Sequence, residues 1–110
     1  GRAILGVVSP RKCKGCIIYR NILPDLARAD GYSVGEINLD ETQSHRLFKA
    51  DYMGLLKHGL PQTYFFDNGD FVGVLFGYKD RDTLLSVART IFPKVRKKAY
   101  AAGLGNVSNP

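Results

Sequence analysis

The junction Arg11-Lys12-Cys13-Lys14-Gly15-Cys16, set between an apolar run and a helix-like run, constrains this chain more than any other stretch. Before it, Ala3-Ile4-Leu5-Gly6-Val7-Val8 is short, unbroken and rich in β-branched residues. It reads as a buried parallel strand ended by Ser9-Pro10. After it, Ile17-Ile18-Tyr19, Ile22-Leu23 and Leu26-Ala27 recur near helical spacing as far as Asp30-Gly31, where a glycine closes the helix. Pro24 is expected to kink that helix, because the carbonyl of Arg20 loses its donor. The chain's 2 cysteines therefore stand at the first turn of a helix, close enough to form and break a disulfide. Basic neighbours and the helix start both favour thiolate, so Cys13 is expected to be more acidic than an ordinary cysteine. The pattern is that of a dithiol redox site.

Downstream, Tyr32 to Leu39 alternates loosely through Val34, Ile37 and Leu39 and reads as a second strand. Asp40-Glu41-Thr42 offers helix caps for a helix over Gln43 to Lys57, with Leu47, Phe48, Tyr52, Leu55 and Leu56 as its apolar face and Gly54 weakening it. Gln62 to Asp67 and Asp70 to Phe76 are aromatic, β-branched runs separated by Asn68-Gly69. That dipeptide is a strong hairpin signal, because both turn positions need positive φ. Leu84, Leu85, Val87, Ala88, Ile91 and Phe92 form one face of a last helix, capped by Asp80 or Asp82 and ended by Pro93. The reading is one domain over residues 1–93 and a basic tail over 94–110, with a short helix through Tyr100-Ala101-Ala102. The class is α/β, in the order β-α-β-α-β-β-α, giving a four-stranded mixed sheet with helices on both faces. The dithiol falls at the carboxyl end of the first strand, where α/β sheets form reactive sites.

Composition excludes more than it assigns. At 110 residues and 45% hydrophobic content, one modest core is available. No apolar run has the length of a membrane span or the form of a signal peptide, so the cytoplasm is the default compartment. The net charge of +6 raises nucleic acid as a partner. However, the dense basic patches are only Arg11–Lys14 and Lys94–Lys98, and no aromatic-interleaved RNA motif is present. Two cysteines cannot build a multi-bridge secreted scaffold. A Cys₂His₂ zinc set from Cys13, Cys16, His45 and His58 lacks finger spacing, so no metal is expected. His45 is read as a solvent-facing helix residue and His58 as a loop residue near Pro61. The aromatics Tyr64, Phe65, Phe66, Phe71 and Phe76 are read as core.

Taken together, the strand Ala3–Val8, the Cys13-Lys14-Gly15-Cys16 helix start, Ile37-Asn38-Leu39-Asp40, Gly59-Leu60-Pro61 before Thr63-Tyr64-Phe65-Phe66-Asp67-Asn68-Gly69-Asp70, and Gly77 resemble the thioredoxin superfamily over about residues 3 to 93. The resemblance implies a thioredoxin-like fold. It also implies that Pro61 is a cis-proline lying against the dithiol and that the backbone of Leu60 binds an extended substrate chain. Lys12 stands where thioredoxins usually have Trp, Val7 where they carry a buried Asp, and Glu36 about where they have a partnering Lys. The absence of their first strand and helix leaves a shorter, glutaredoxin-like core.

The function expected from the residues and the resemblance is electron transport by thiol–disulfide exchange with protein substrates. Cys13 attacks and Cys16, more buried and less acidic, resolves the mixed disulfide. Lys12 and Lys14 act electrostatically on the thiolate and on substrate. A stabilised thiolate implies a potential less reducing than that of a typical thioredoxin. Expected partners are disulfide-containing proteins and a reductase or glutathione, with no cofactor bound. A glutaredoxin-like, glutathione-dependent enzyme is the alternative, with Arg11, Lys12 or Lys14 on the tripeptide's carboxylates. Gly77-Tyr78-Lys79-Asp80 matches the glutathione-gripping feature of that family only loosely. A non-catalytic binding module of the same fold is the third reading.

Overall fold

The computed structural model describes residues 1–52 and 54–99, with side chains for residues 1–49 and 54–92. Four strands, β1 (Arg2–Val8), β2 (Ser33–Asn38), β3 (Gln62–Asp67) and β4 (Asp70–Phe76), form one sheet in the order β2-β1-β3-β4. β1 and β2 are parallel, joined by the crossover helix α1 (Lys14–Asp30), whereas β3 runs antiparallel to both β1 and β4. The other helices are α2 (Thr42–Tyr52), a one-turn 3-10 helix at Leu56–His58, and α3 (Arg81–Ala99). Among the described residues no helix is long and apolar enough to cross a membrane.

Side-chain alternation along β1 and β3 builds a core on each face of the sheet. On one face Ile4, Val8 and Phe65 meet Cys16, Tyr19, Leu23 and Leu26 of α1 and Leu84, Leu85, Ala88 and Phe92 of α3. On the other, Val7 and Tyr64 meet Phe48 of α2. The four-stranded mixed sheet with helices on both faces is therefore the architecture expected.

Local signals set most of the boundaries. Gly31 closes α1 at φ 71, with its N–H donating to the carbonyl of Ala27 at 2.8 Å, as a left-handed cap requires. Asn68 and Gly69 turn the β3–β4 hairpin at φ 53 and 86, the positive pair that matches the twist of the strands. Asp80 caps α3 through Thr83 N–H at 2.9 Å. Pro24 lies inside α1, which continues to Asp30.

Three expectations about the helices change. The helix expected over Gln43 to Lys57 ends at Tyr52, and Leu56–His58 forms a separate turn. Leu55 and Leu56 pack on the α2-side core from that connection rather than from the helix face. Leu47, placed on the buried face from its spacing, is 63% exposed, because α2 meets the sheet through Phe48 alone among its described fully buried side chains. Finally, α3 does not stop at Pro93 but runs to Ala99. Proline removes one N–H yet holds a φ compatible with a helix, so it need not end one. Tyr52 and Met53, with the short helix proposed at Tyr100-Ala101-Ala102, lie outside the residues whose side chains or backbone are described.

Candidate active site

Cys13 is the N-cap of α1, with extended backbone at φ −136 and ψ 109. Its sulfur accepts a hydrogen bond from Cys16 N–H at 3.1 Å, so one of the helix's unpaired donors is aimed at it. No acidic residue occupies the first turn of α1, and Arg11, Lys12 and Lys14 are exposed around it. The positive end of the helix is therefore not offset by a carboxylate of its own first turn. Cys16 lies one turn further in, fully buried, while Cys13 is partly exposed. The two are joined as a disulfide, with Cα atoms 5.3 Å apart.

Two loops close around this turn. The Leu60–Pro61 peptide bond is cis, and Pro61 is buried. A Cβ on Gly15, between the cysteines, would stand 3.9 Å from Pro61 Cδ and 3.6 Å from Tyr78 Cβ, so the CxxC turn lies against both. Gly77, at φ 86, donates its N–H to the carbonyl of Pro61 at 2.8 Å. Leu60 forms no hydrogen bond through its N–H or C=O among the described residues. His58 is exposed on the 3-10 turn with its ring 4.8 Å from that of Phe76. His45 is half-buried in α2. Among the described residues no three His, Cys, Asp or Glu side chains are grouped as a metal-ligand set.

Ser9 and Asp40 complete the surroundings, and neither was singled out for this role by the sequence. The Asp40 carboxylate accepts from Ser9 Oγ at 2.6 Å and from Arg11 N–H at 2.9 Å. These bonds hold its carboxyl below the usual range. Ser9 N–H in turn points at Cys16 Sγ at 3.5 Å. The end of β2 is thereby tied to the segment leading into Cys13. The signal available in sequence, an acidic residue just past a strand end, also fits a helix cap. Only the parallel pairing of β1 with β2 gives it Ser9 as a partner.

A scan against protein families and a search of curated proteins each return no match. Solved structures do match. A mutant thioredoxin from Halobacterium salinarum NRC-1 superposes with a TM-score of 0.67 at 22% identity, over 82% of this chain and 74% of that one. Oxidised thioredoxin O2 from Arabidopsis thaliana gives 0.63 at 16% identity, over 82% and 74%. Thioredoxin-2, described as a component of malaria parasite protein secretion machinery, gives 0.62 at 14%, over 81% and 82%. The chain has the thioredoxin fold.

Within the thioredoxin fold the departures noted in sequence take definite places. Val7 is fully buried against Phe48 and Tyr64, on the α2 side of the sheet. Glu36 does not stand beside it. It is opposite Gly6 in the β1–β2 register, and its carboxylate takes a two-pronged hydrogen bond from Arg20 of α1 at 2.7 and 3.1 Å. Side chains alternate between faces along each strand, so Val7 and Glu36, one register step apart, lie on opposite faces of the sheet. Lys12 is exposed, leaving the approach to Cys13 without a bulky aromatic neighbour at that position.

Proposed function

We propose that the chain is a thiol–disulfide oxidoreductase acting on protein disulfides, with Cys13 as the attacking sulfur and Cys16 as the resolving one. The observation that carries this reading is the asymmetry of the pair. Cys13 is partly exposed at an amide-lined helix start, Cys16 is fully buried one turn in, and the turn between them rests on the cis Leu60–Pro61 loop.

In the reduced protein the Cys13 thiolate attacks one sulfur of a substrate disulfide. An enzyme–substrate disulfide forms, and the substrate's other sulfur leaves as a thiolate. Cys16 then gives up its proton and attacks Cys13, releasing the second substrate thiolate. The enzyme dithiol has become a disulfide and the substrate disulfide two thiols, with two electrons transferred. An external thiol donor, a reductase or glutathione, returns the enzyme to its dithiol form. The amide of Cys16 and the positive end of α1 stabilise the Cys13 anion before attack and when it is the leaving group. Lys12 and Lys14 add to that stabilisation. The N–H and C=O of Leu60, unpaired among the described residues, suit an extended peptide laid beside the dithiol as an added strand.

The test is reduction of insulin disulfides with dithiothreitol as the electron source. Turnover above the uncatalysed rate is expected for the native protein and none for Cys13→Ser. Cys16→Ser should accumulate a mixed disulfide on Cys13, seen as a mass increase reversed by excess thiol. A native protein no faster than dithiothreitol alone, with no adduct on Cys16→Ser, favours the non-catalytic binding module.

A further inference from the structure

Three separate segments bring cations to the end of the molecule that carries the dithiol, exposed on two of them and half-buried at Lys79 on the third. Arg11, Lys12 and Lys14 flank Cys13 and are exposed. Among the described residues none of them belongs to an ion pair, since those pairs use Arg20, Arg28, Arg81 and Arg89. The 3-10 turn that leads to the cis peptide presents Lys57, exposed beside His58. From the loop after β4, Lys79 folds back so that its ammonium donates to the carbonyl of Phe76 at 3.0 Å. That ammonium stands 3.8 Å from the Cβ position of Gly77, the residue bonded to the Pro61 carbonyl.

The carboxylates at this end, Asp40, Asp80 and Glu41, offset part of the ring's charge but are fewer than its cations, Arg11, Lys12, Lys14, Lys57 and Lys79. Asp40 keeps its charge while accepting from Ser9 Oγ and the Arg11 N–H, and it acts on Arg11 and Lys12. Asp80 caps α3. Glu41 is exposed and acts on Arg20, towards the flank where Arg20 already pairs with Glu36. Ile17 and Ile18, 54% and 57% exposed, add apolar surface directly after Cys16.

We infer that this face selects disulfides carried by acidic protein segments, whose carboxylates meet the cations of the three segments while the reactive sulfur reaches Cys13. The inference rests on the oxidoreductase reading and names its substrate class. Exposed charges of one sign around a reactive group raise the encounter rate of oppositely charged partners, and salt screens the effect within about 8–10 Å. The selection is therefore kinetic and salt-dependent.

The test is single-turnover oxidation of the pre-reduced protein by three synthetic peptide disulfides of one length, with acidic, neutral or basic residues flanking the cystine. Oxidised glutathione and neutral 2-hydroxyethyl disulfide are run in parallel. At low ionic strength the acidic peptide should react about tenfold or more faster than the basic one, the lower end of the range for electrostatic steering. That ratio should collapse in high salt and in an Arg11→Glu, Lys57→Glu double variant, whose two side chains contact neither sulfur. Equal rates for the three peptides overturn the inference and leave the oxidoreductase reading standing. Oxidised glutathione outpacing the acidic peptide also overturns it, in favour of a small-molecule substrate. Failure of every disulfide, the neutral one included, overturns the oxidoreductase reading itself.

Discussion

The hydroxyl of Tyr19 lies 2.6 Å from the hydroxyl of Thr63, one turn of α1 below Cys16 and wholly inside the helix–sheet interface. Tyr19 also donates to the carbonyl of Gln62 at 3.3 Å. On the opposite face of β3, Gln62 accepts from Tyr64 at 2.6 Å and donates to the carbonyl of Leu55 at 2.8 Å. The strand that begins at the cis-proline is thus pinned on one face to the helix carrying the dithiol and on the other to the turn before the cis bond. The side chains of Tyr19, Gln62, Thr63 and Tyr64 in this network are all fully buried and each is hydrogen-bonded, the condition under which such a network rigidifies rather than destabilises.

Burial pushes the Tyr19 phenol up to about 12, against the opposing effect of its Thr63 hydrogen bond. The folded state then holds that proton more tightly than the unfolded chain, whose tyrosine titrates near 10. The stability this confers is complete below pH 10 and lost as pH rises towards 12, with a total of roughly 3 kcal/mol. Tyr32 is shifted the same way, so the informative comparison is between native protein and Tyr19→Phe. Urea midpoints at pH 9 and 11.5 should fall less in the variant than in the native protein.

Thr63→Val keeps the shape of the residue and removes its hydroxyl, leaving Tyr19 only the longer bond to Gln62. An unfolding cost of about 1–3 kcal/mol is expected for a buried polar group deprived of its partner. It is read from the denaturant midpoint at pH 7.

Two glycines separate steric from conformational causes. A Cβ on Gly6 would stand 2.8 Å from both a ring carbon of Tyr19 and Leu23 Cδ1. Gly6→Ala must therefore shift Tyr19 and Leu23 of the helix that bears the cysteines, at about 1–3 kcal/mol. A Cβ on Gly69 meets nothing within 4 Å, but the residue sits at φ 86. Gly69→Ala should cost about 1–2 kcal/mol through backbone strain alone. Thermal denaturation should show both losses, whereas the rate of thiol exchange should change only in Gly6→Ala.

Asp40 ties Ser9 and Arg11 to the end of β2, and those hydrogen bonds depress its carboxyl below the ordinary value of 3.8. A depressed folded value means stability that is present above about pH 4 and lost as pH falls through it. Asp40→Ala should lower the melting temperature at pH 7 and flatten the fall in melting temperature between pH 5 and pH 2. An unchanged acid profile would show that the tie contributes nothing.

By contrast, the Arg89–Asp30 pair that links α3 to the end of α1 is a 2.7 Å contact on the surface. Arg89→Ala should change stability by no more than about 1 kcal/mol, since exposed pairs are screened and side-chain entropy opposes them. A denaturant series in low and high salt checks this.

What could be read before folding was whatever depends on neighbours a few residues away. Asn68-Gly69 demands positive φ wherever it sits, so the limits of β3 and β4 follow from it. Gly31 after an amphipathic run closes α1 for the same reason. The placement of Cys13 and Cys16 on the first helical turn needed only the end of β1 and the start of the periodic pattern. Leu47, by contrast, has helical spacing that fits a buried face, but burial depends on how α2 is laid against the sheet.

The sequence by itself determined the order of elements, the turns, the helix caps and the dithiol at a basic helix start, because backbone sterics and side-chain periodicity act over a few residues. The tertiary structure alone decided that Asp40 reaches Ser9, that Glu36 pairs with Arg20, and that Tyr19 meets Thr63. Each of those contacts joins groups distant along the chain. Strand register and the facing of the helices place them together, and no local propensity encodes either.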